Sequence, residues 1–343
     1  MNKRVRNLLL VGCVVLIAAI GGVYVERGLG PNGQDRSGPA TQDQPQRRPI
    51  IQIVRQQAGL PSVADTIASV CPSIAAIAPA GANGPVATGF AVSADGWVLA
   101  ATASLPAGNL EVHFGSGPAV GVSEIREDPV SGLSLLHSEA IGLRPVRLSD
   151  QGFPNVGDFA VAILDPAAQG CSAQAAMIAS DFLVDGGGPA AYVRLQPMGA
   201  DLPAGVPIIS GDGQVLGVVA AGAPVNSAIA AEVVSDVANE LLRGTLSPMT
   251  KFGFRAKDFD AAFAARLSNS RSVGTAVALV EPKSPAAKAG LQAGDIVVAV
   301  NGSPVASASE LGRALDGAGT SASVDIARGD KRLTLTIAQV PGS

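Results

Sequence analysis

Histidine is almost missing from this sequence: His113 and His137 are the only two among 343 residues. With so few imidazoles, and no Cys-x-x-Cys spacing anywhere, neither a zinc centre nor a haem attachment is expected, and no cofactor is implied. Aromatic residues amount to only 3%, so the cores must be built from Val, Leu, Ile and Ala. Basic charge is scarce where it would matter for nucleic acid. The net charge is −4, but residues 1–60 carry eight Lys/Arg against three Asp/Glu, a balance of +5, which leaves −9 for the remainder. An acidic body without a basic patch argues against a nucleic-acid partner. Cysteine is limited to three, Cys13, Cys71 and Cys171. A disulfide between the last two is compatible with an oxidising compartment, but their spacing alone does not decide whether they pair.

What the chain does have is apolar sequence, 47% of it, with 41 Gly and 24 Pro. Leu8–Val25 is an unbroken apolar run, about 18 residues or roughly 27 Å as a helix, enough to cross most of a bilayer core. Lys3, Arg4 and Arg6 precede it, so the positive-inside rule places residues 1–7 in the cytoplasm and the bulk of the chain outside. A cleaved signal peptide is the rival reading, but its apolar core is usually shorter, about 7–15 residues. Leu10-Val11-Gly12-Cys13 resembles a lipoprotein box, with too little apolar sequence before it and too much after it. The expectation is an uncleaved single-pass anchor at 8–25.

Residues 26–60 are rich in Gln, Pro, Arg and Gly and lack periodicity, the composition of a flexible tether. Short alternating runs separated by turn residues follow, among them Ser73–Ala78, Gly89–Ser93, Trp97–Ala101, Leu110–Phe114, Leu133–His137, Phe159–Leu164, Ala191–Gln196 and Val215–Ala221. Many short strands of this kind predict a mainly β sandwich or barrel over 61–247. Ala231–Leu242 instead shows a helical pattern, with Val233, Val234, Val237 and Leu241 on one side and Gly244 as its stop. A second domain then spans 249–341.

In that second domain Ser284-Pro-Ala-Ala-Lys-Ala-Gly-Leu-Gln-Ala-Gly-Asp295, followed by Ile296–Val300 and Asn301-Gly302, is very similar to the PDZ domains attached to HtrA proteases. The residues explain themselves: Ser284 caps a short helix that accepts Pro285 in its first turn, Gly290 ends it, and Asn301-Gly302 is a hairpin turn. The resemblance implies an α+β domain that receives an extended peptide or protein C-terminus as an added strand. Lys251-Phe252-Gly253-Phe254 stands where the carboxylate-binding loop should be, with Phe252 and Phe254 lining the pocket unless they are simply core. Leu311 and Leu315 of the helix Ala308–Leu315 should form the other wall.

The first domain resembles the HtrA/DegP serine proteases. Its matching segments are Val70–Ile77, Ala87–Leu99, Asp128–Leu136, Ala162–Pro166, Met177–Ser180 and Pro207–Gly217. The fold implied is a trypsin-like pair of six-stranded β-barrels with a cleft between them, and the family implies trimers or co-assembly with an active protease. The catalytic chemistry departs from the family. Ala103 occupies the histidine position, Gly132 the aspartate position and Ala204 the nucleophile position; Leu202 and Pro203 replace residues of the oxyanion loop. Acyl transfer needs a hydroxyl or thiol nucleophile and a base, and Ala and Gly supply neither. Ser104 and Ser210 lie near the expected cleft without an obvious base. The expectation is therefore a membrane-anchored periplasmic pseudoprotease acting as a peptide-binding scaffold, adaptor or sensor. The alternatives are an active endopeptidase of envelope quality control and a purely structural membrane protein.

Overall fold

The computed structural model describes residues 62–340 apart from 83, 85, 141, 151–153, 168–169, 181–182, 185–188, 191, 222–223 and 259–274. The anchor at 8–25 and the tether at 26–60 lie outside the described residues. Among those described, no helix is long and apolar enough to cross a membrane.

The ordered part begins with a helix where the sequence reading starts its strands. Helix α1 (Val63–Val70) is set by a capping box: Ser62 Oγ accepts the Asp65 N–H and Asp65 Oδ2 accepts the Ser62 N–H. Pro72 lies in a 3-10 turn, Cys71–Ser73, and β1 starts only at Ile74. Thr66 Oγ1 reaches the Gly211 carbonyl at 2.7 Å, fixing α1 against the second barrel.

Strands β1 (Ile74–Pro79), β2 (Ala87–Ala91), β3 (Trp97–Ala101), β4 (Leu110–Phe114), β5 (Val120–Asp128) and β6 (Leu133–Ser138) close a barrel in the order β1-β2-β3-β6-β5-β4. The second barrel contains β7 (Phe159–Ala167), β8 (Gly170–Ser180), β11 (Tyr192–Pro197), β12 (Pro207–Ser210), β13 (Val215–Val219) and β14 (Ser227–Ala230), closed as β11-β14-β13-β12-β7-β8. A two-stranded ribbon, β9 (Leu183–Val184) with β10 (Pro189–Ala190), lies between β8 and β11 in the chain. Small residues let the strands approach closely. In β1, Ile74, Ala75, Ala76, Ile77 and Ala78 are all buried, so this strand is apolar on both faces. Cys71 and Cys171 form a disulfide with Cα atoms 5.8 Å apart, joining the entry of β1 to β8 and so one barrel to the other.

Helix α2 (Ala231–Arg243) lies across both barrels. Its Val233, Val234, Val237 and Leu241 share one buried cluster with Leu133 and Leu135 of the first barrel and Val215 and Val218 of the second. Burying each such side chain contributes about 1.5–3 kcal/mol. Arg126 of β5 donates from Nη1 to the Leu241 and Leu242 carbonyls at 2.7 and 2.9 Å, neutralising the C-terminal end of the helix.

The last domain is an antiparallel sheet ordered β15 (Phe254–Asp258), β16 (Thr275–Val280), β17 (Ile296–Val300), β19 (Ser321–Arg328), β20 (Lys331–Ala338), with β18 (Ser303–Pro304) paired to β17. Asn301 and Gly302 both take positive φ in the β17–β18 hairpin, as their sequence suggests. Ser284 caps α3 (Pro285–Lys288), and α4 (Ala308–Asp316) turns Leu311 and Leu315 fully into the core.

Candidate functional site

The inter-barrel cleft brings positions 103, 132 and 204 together. Ala103 sits in a single 3-10 turn, Thr102–Ser104, at the end of β3. On one side Thr102 N donates to the Gly132 carbonyl at 2.8 Å, and Thr102 Oγ1 shares a 2.7 Å hydrogen bond with Ser134. On the other side Ser104 Oγ donates to the Ala204 carbonyl at 2.9 Å. Gly132 has φ +66°, a left-handed conformation that residues with a β-carbon rarely take. Beside Ala204, a β-carbon on Gly205 would lie 3.1 Å from the Thr88 carbonyl and 3.3 Å from Ala101, so the first barrel presses closely on this turn.

Several described polar groups around this cleft are engaged with the protein. The Leu202 N–H, which the resemblance aligns with an oxyanion-hole donor, gives its hydrogen to Asn226 Oδ1 at 2.9 Å. Asn226 is held in place by its Nδ2, which donates to Asp201 at 2.9 Å. The sequence reading did not single out Asn226, a lone Asn in a turn. Ser210 donates to the Asp212 carboxylate and accepts the Gln214 N–H, forming a closed turn. The Ser210 hydrogen bond, reinforced by Gln214, holds the Asp212 carboxyl below its ordinary pKa.

Neither histidine enters the cleft. His113 of β4 pairs opposite Ala76 of β1. His137 of β6 stacks on Trp97, with ring centroids 4.5 Å apart, and the Arg126 guanidinium lies 4.5 Å over the same indole. Trp97 and His137 pair at the start of β3, and Ala101 and Leu133 at its end. The imidazole is therefore about 13 Å along the sheet from the Ala103 turn, at roughly 3.3 Å per residue. A Ser–His contact exists there: Ser123 Oγ lies 3.1 Å from His137 Nδ1 and also donates to the His137 carbonyl. When its single proton goes to that carbonyl, Ser123 can only accept from the ring.

The second candidate site lies around β15. Gly253 (φ +82°) ends a 3-10 turn, Pro248–Phe252. A β-carbon on it would fall 2.3 Å from the Ser284 β-carbon, so no larger residue fits. Phe252, Phe254, Leu311 and Leu315 meet in one cluster and are all completely buried. The four residues read as pocket walls are thus adjacent, but in this structure they seal against each other. Lys251 reaches across the loop to pair with Asp316 of α4 at 2.9 Å, both side chains being exposed.

The opposite face of β15 docks on the barrels. Arg255 donates from Nε to Asp128 at 2.8 Å and from Nη2 to Glu240 at 2.9 Å; Asp128 is fully buried and Arg255 nearly so. Burial alone would lower the Arg255 pKa, but Asp128 and then Glu240 more than offset this and raise it. Asp128 also accepts the Ser131 N–H beside Gly132 at 2.9 Å, so the PDZ-side strand is linked to the turn that carries the aspartate position. Glu281 has its pKa raised by desolvation and then by the nearby Asp128 charge.

Residues 277–328 match the family model described as a PDZ domain. Over 74% of its length the chain is 26% identical to a probable periplasmic serine endoprotease, DegP-like, from Pseudomonas fluorescens. It is 27% identical to the protein of that description from Brucella suis over 75% of its length. The chain is related to DegP-like serine endoproteases and carries a PDZ domain. It spans about half the length of these curated relatives, 56% and 53% respectively. Among solved structures, "HtrA-type protease AlgW with decapeptide" superposes with a TM-score of 0.48 at 16% identity, covering 82% of this chain and 99% of that one. A serine endoprotease from Yersinia pestis gives 0.49 at 18% identity, with the same coverage. The two closed barrels and the PDZ domain are the fold the resemblance implies.

Proposed function

We propose that this DegP-like chain is a pseudoprotease of the bacterial envelope. Residues 8–25 anchor it in the inner membrane, its bulk lies in the periplasm, and its PDZ domain binds peptides or protein C-termini as a scaffold, adaptor or sensor. One observation carries the reading. At the three positions where the resemblance calls for a base, its orienting carboxylate and a nucleophile stand Ala103, Gly132 and Ala204, side chains that can neither attack a carbonyl nor take a proton. The occupied Leu202 N–H supports it, because an oxyanion hole works through donors that are unengaged before the reaction. The Cys71–Cys171 disulfide suits an oxidising compartment, and the relatives are described as periplasmic. The family resemblance extends the proposal to homotrimers or co-assembly with an active protease.

The relatives' descriptions as endoproteases, together with the Ser123–His137 contact, motivate the second reading, an active enzyme with a displaced nucleophile. The full chain, treated with a fluorophosphonate probe and with casein, should show neither labelling nor cleavage. Labelling abolished by Ser123→Ala would establish the second reading instead.

A further inference from the structure

Three side chains form one row across the first barrel: Trp97 of β3 pairs with His137 of β6, and His137 with Glu124 of β5. The row stands on the face that α2 covers. Leu133 and Leu135, at alternate positions of β6 before His137, share a buried cluster with Val233, Val237 and Leu241. Arg126, two residues beyond Glu124 on the same face of β5, ties this row to the helix. Its Nε donates to Glu124 at 2.7 Å, its guanidinium lies over Trp97, and its Nη1 holds the last carbonyls of α2.

That end of α2 leads directly into the connector to the PDZ domain. The Gly244 and Thr245 N–H groups close the helix on the Leu241 and Glu240 carbonyls. The Ser247 N–H donates to the Glu240 carboxylate, which also accepts from Arg255 of β15. A β-carbon on Gly244 would lie 3.6 Å from Arg126 Nη1, so the guanidinium is packed against the helix stop. A change at Arg126 therefore reaches the joint between barrels and PDZ domain.

Within the row, the imidazole is the group whose charge changes near neutral pH, and His137 is half-buried, open to a proton from solvent. Facing it are Asp95 from the β2–β3 turn and Glu124 and Arg126 from β5. Glu139 lies exposed past the end of β6, and α2 contributes Glu240, bound to Arg255, and the exposed Arg243. A hydrogen bond from Ser93 holds the Asp95 carboxyl below the ordinary carboxylate range, and the Arg126 hydrogen bond does the same for Glu124. Both stay ionised while an imidazole titrates. Two carboxylates against one guanidinium leave a spare negative charge that an imidazolium would neutralise.

We propose that His137 is a proton-operated catch on the PDZ joint. On taking a proton it competes with Arg126 for the Glu124 carboxylate and sets a second cation against the Trp97 indole. Arg126 then loses its partner, and the end of α2 is held less firmly. The inference rests on the sensor reading and deepens it: acidification is the signal, and freedom of the PDZ domain is the output. It also gives the Ser123–His137 contact a role without catalysis.

Trp97 is the only tryptophan in the chain, so its emission reports on this row directly. Titrating the full chain from about pH 8 to about pH 5 should quench that emission in one sigmoidal step. His137→Phe, which keeps a ring beside the indole but takes no proton, should abolish the step; His137→Gln should do the same, with circular dichroism confirming that each variant is folded. Hydrogen exchange over residues 241–250, referred to the unfolded rate at each pH, reads the helix end. Its protection should fall about two- to fivefold on acidification, the range that a cation at a helix C-terminus supplies. Arg126→Gln should show the low protection at both ends of the titration. A Trp97 step that survives both His137 variants would overturn the catch. An emission step with unchanged protection, or full protection in Arg126→Gln, would overturn its coupling to the PDZ joint. Neither result alters fluorophosphonate labelling or peptide binding, so the pseudoprotease reading stands or falls separately.

Discussion

Between the two barrels, hydrogen-bonding groups are turned inward: Ser104 donates to Ala204, and Leu202 N–H is taken by Asn226. Between α2 and β15 the arrangement differs, since no described strand covers the outer edge of β15. Both clefts are built from the same types of element, strand ends and turns held by a packed helix. What separates them is the backbone of the outer β15 edge, which has no strand partner among the described residues. A satisfied cleft is an interior seam that adds stability, whereas an unsatisfied one retains free energy for a ligand.

The largest way to break this contrast is through Arg255, which joins the two regions. Asp128 is fully buried, and its Oδ1 has no hydrogen-bond partner. Replacing Arg255 by Ala leaves that charge unpaired, a loss of about 3–5 kcal/mol. Urea denaturation should register this loss, and proteolysis should begin to nick the connector Thr245–Thr250. An unchanged urea midpoint would show that the two regions are not coupled through this pair.

A smaller effect sharpens the comparison at the inter-barrel seam. Asn226→Gly keeps the left-handed backbone (φ +58°) but removes the acceptor for Leu202 N–H and the donor to Asp201. The expected loss is about 1–2 kcal/mol, read as a lowered melting temperature, with casein still uncleaved. A stabilised variant would mean that Asn226 holds strain rather than relieves it.

The smallest effect lies at the joint itself. The Glu281 carboxyl has a raised pKa in the folded chain, so between its unfolded value near 4.5 and the higher folded value the native state binds more protons. Its contribution to stability is full below that window and falls as pH rises through it. Glu281→Gln should flatten this part of the stability–pH profile and slightly raise the melting temperature at pH 7. A steeper profile in the variant would contradict the assignment.

Much of this was legible in the sequence, unevenly. Strands β3 and β4 fall within the limits their alternation suggests, and Leu311 and Leu315 point inward as their helical spacing requires. Strand β5 is absent from the sequence reading because Val120–Asp128 is half-exposed or exposed along nearly its whole length and so shows no apolar face. Helix α1 was missed because a helix of eight residues offers little periodicity beyond its capping box. Phe252 and Phe254 flank Gly253 in the sequence, but the burial that seals them depends on α4, which lies far away in sequence. Nor could spacing reveal that Arg255 would meet Asp128, 127 residues earlier. Such a pair exists only once the domains have docked.

The most direct measurement is mass spectrometry of a random peptide library after incubation with the full chain, with bound and free fractions compared for composition and length. Recognition without chemistry requires every peptide to be recovered intact, with a subset of sequences enriched in the bound fraction. Shortened peptides with new termini, produced in proportion to the amount of protein added and no longer formed by the Ser123→Ala variant, would contradict it.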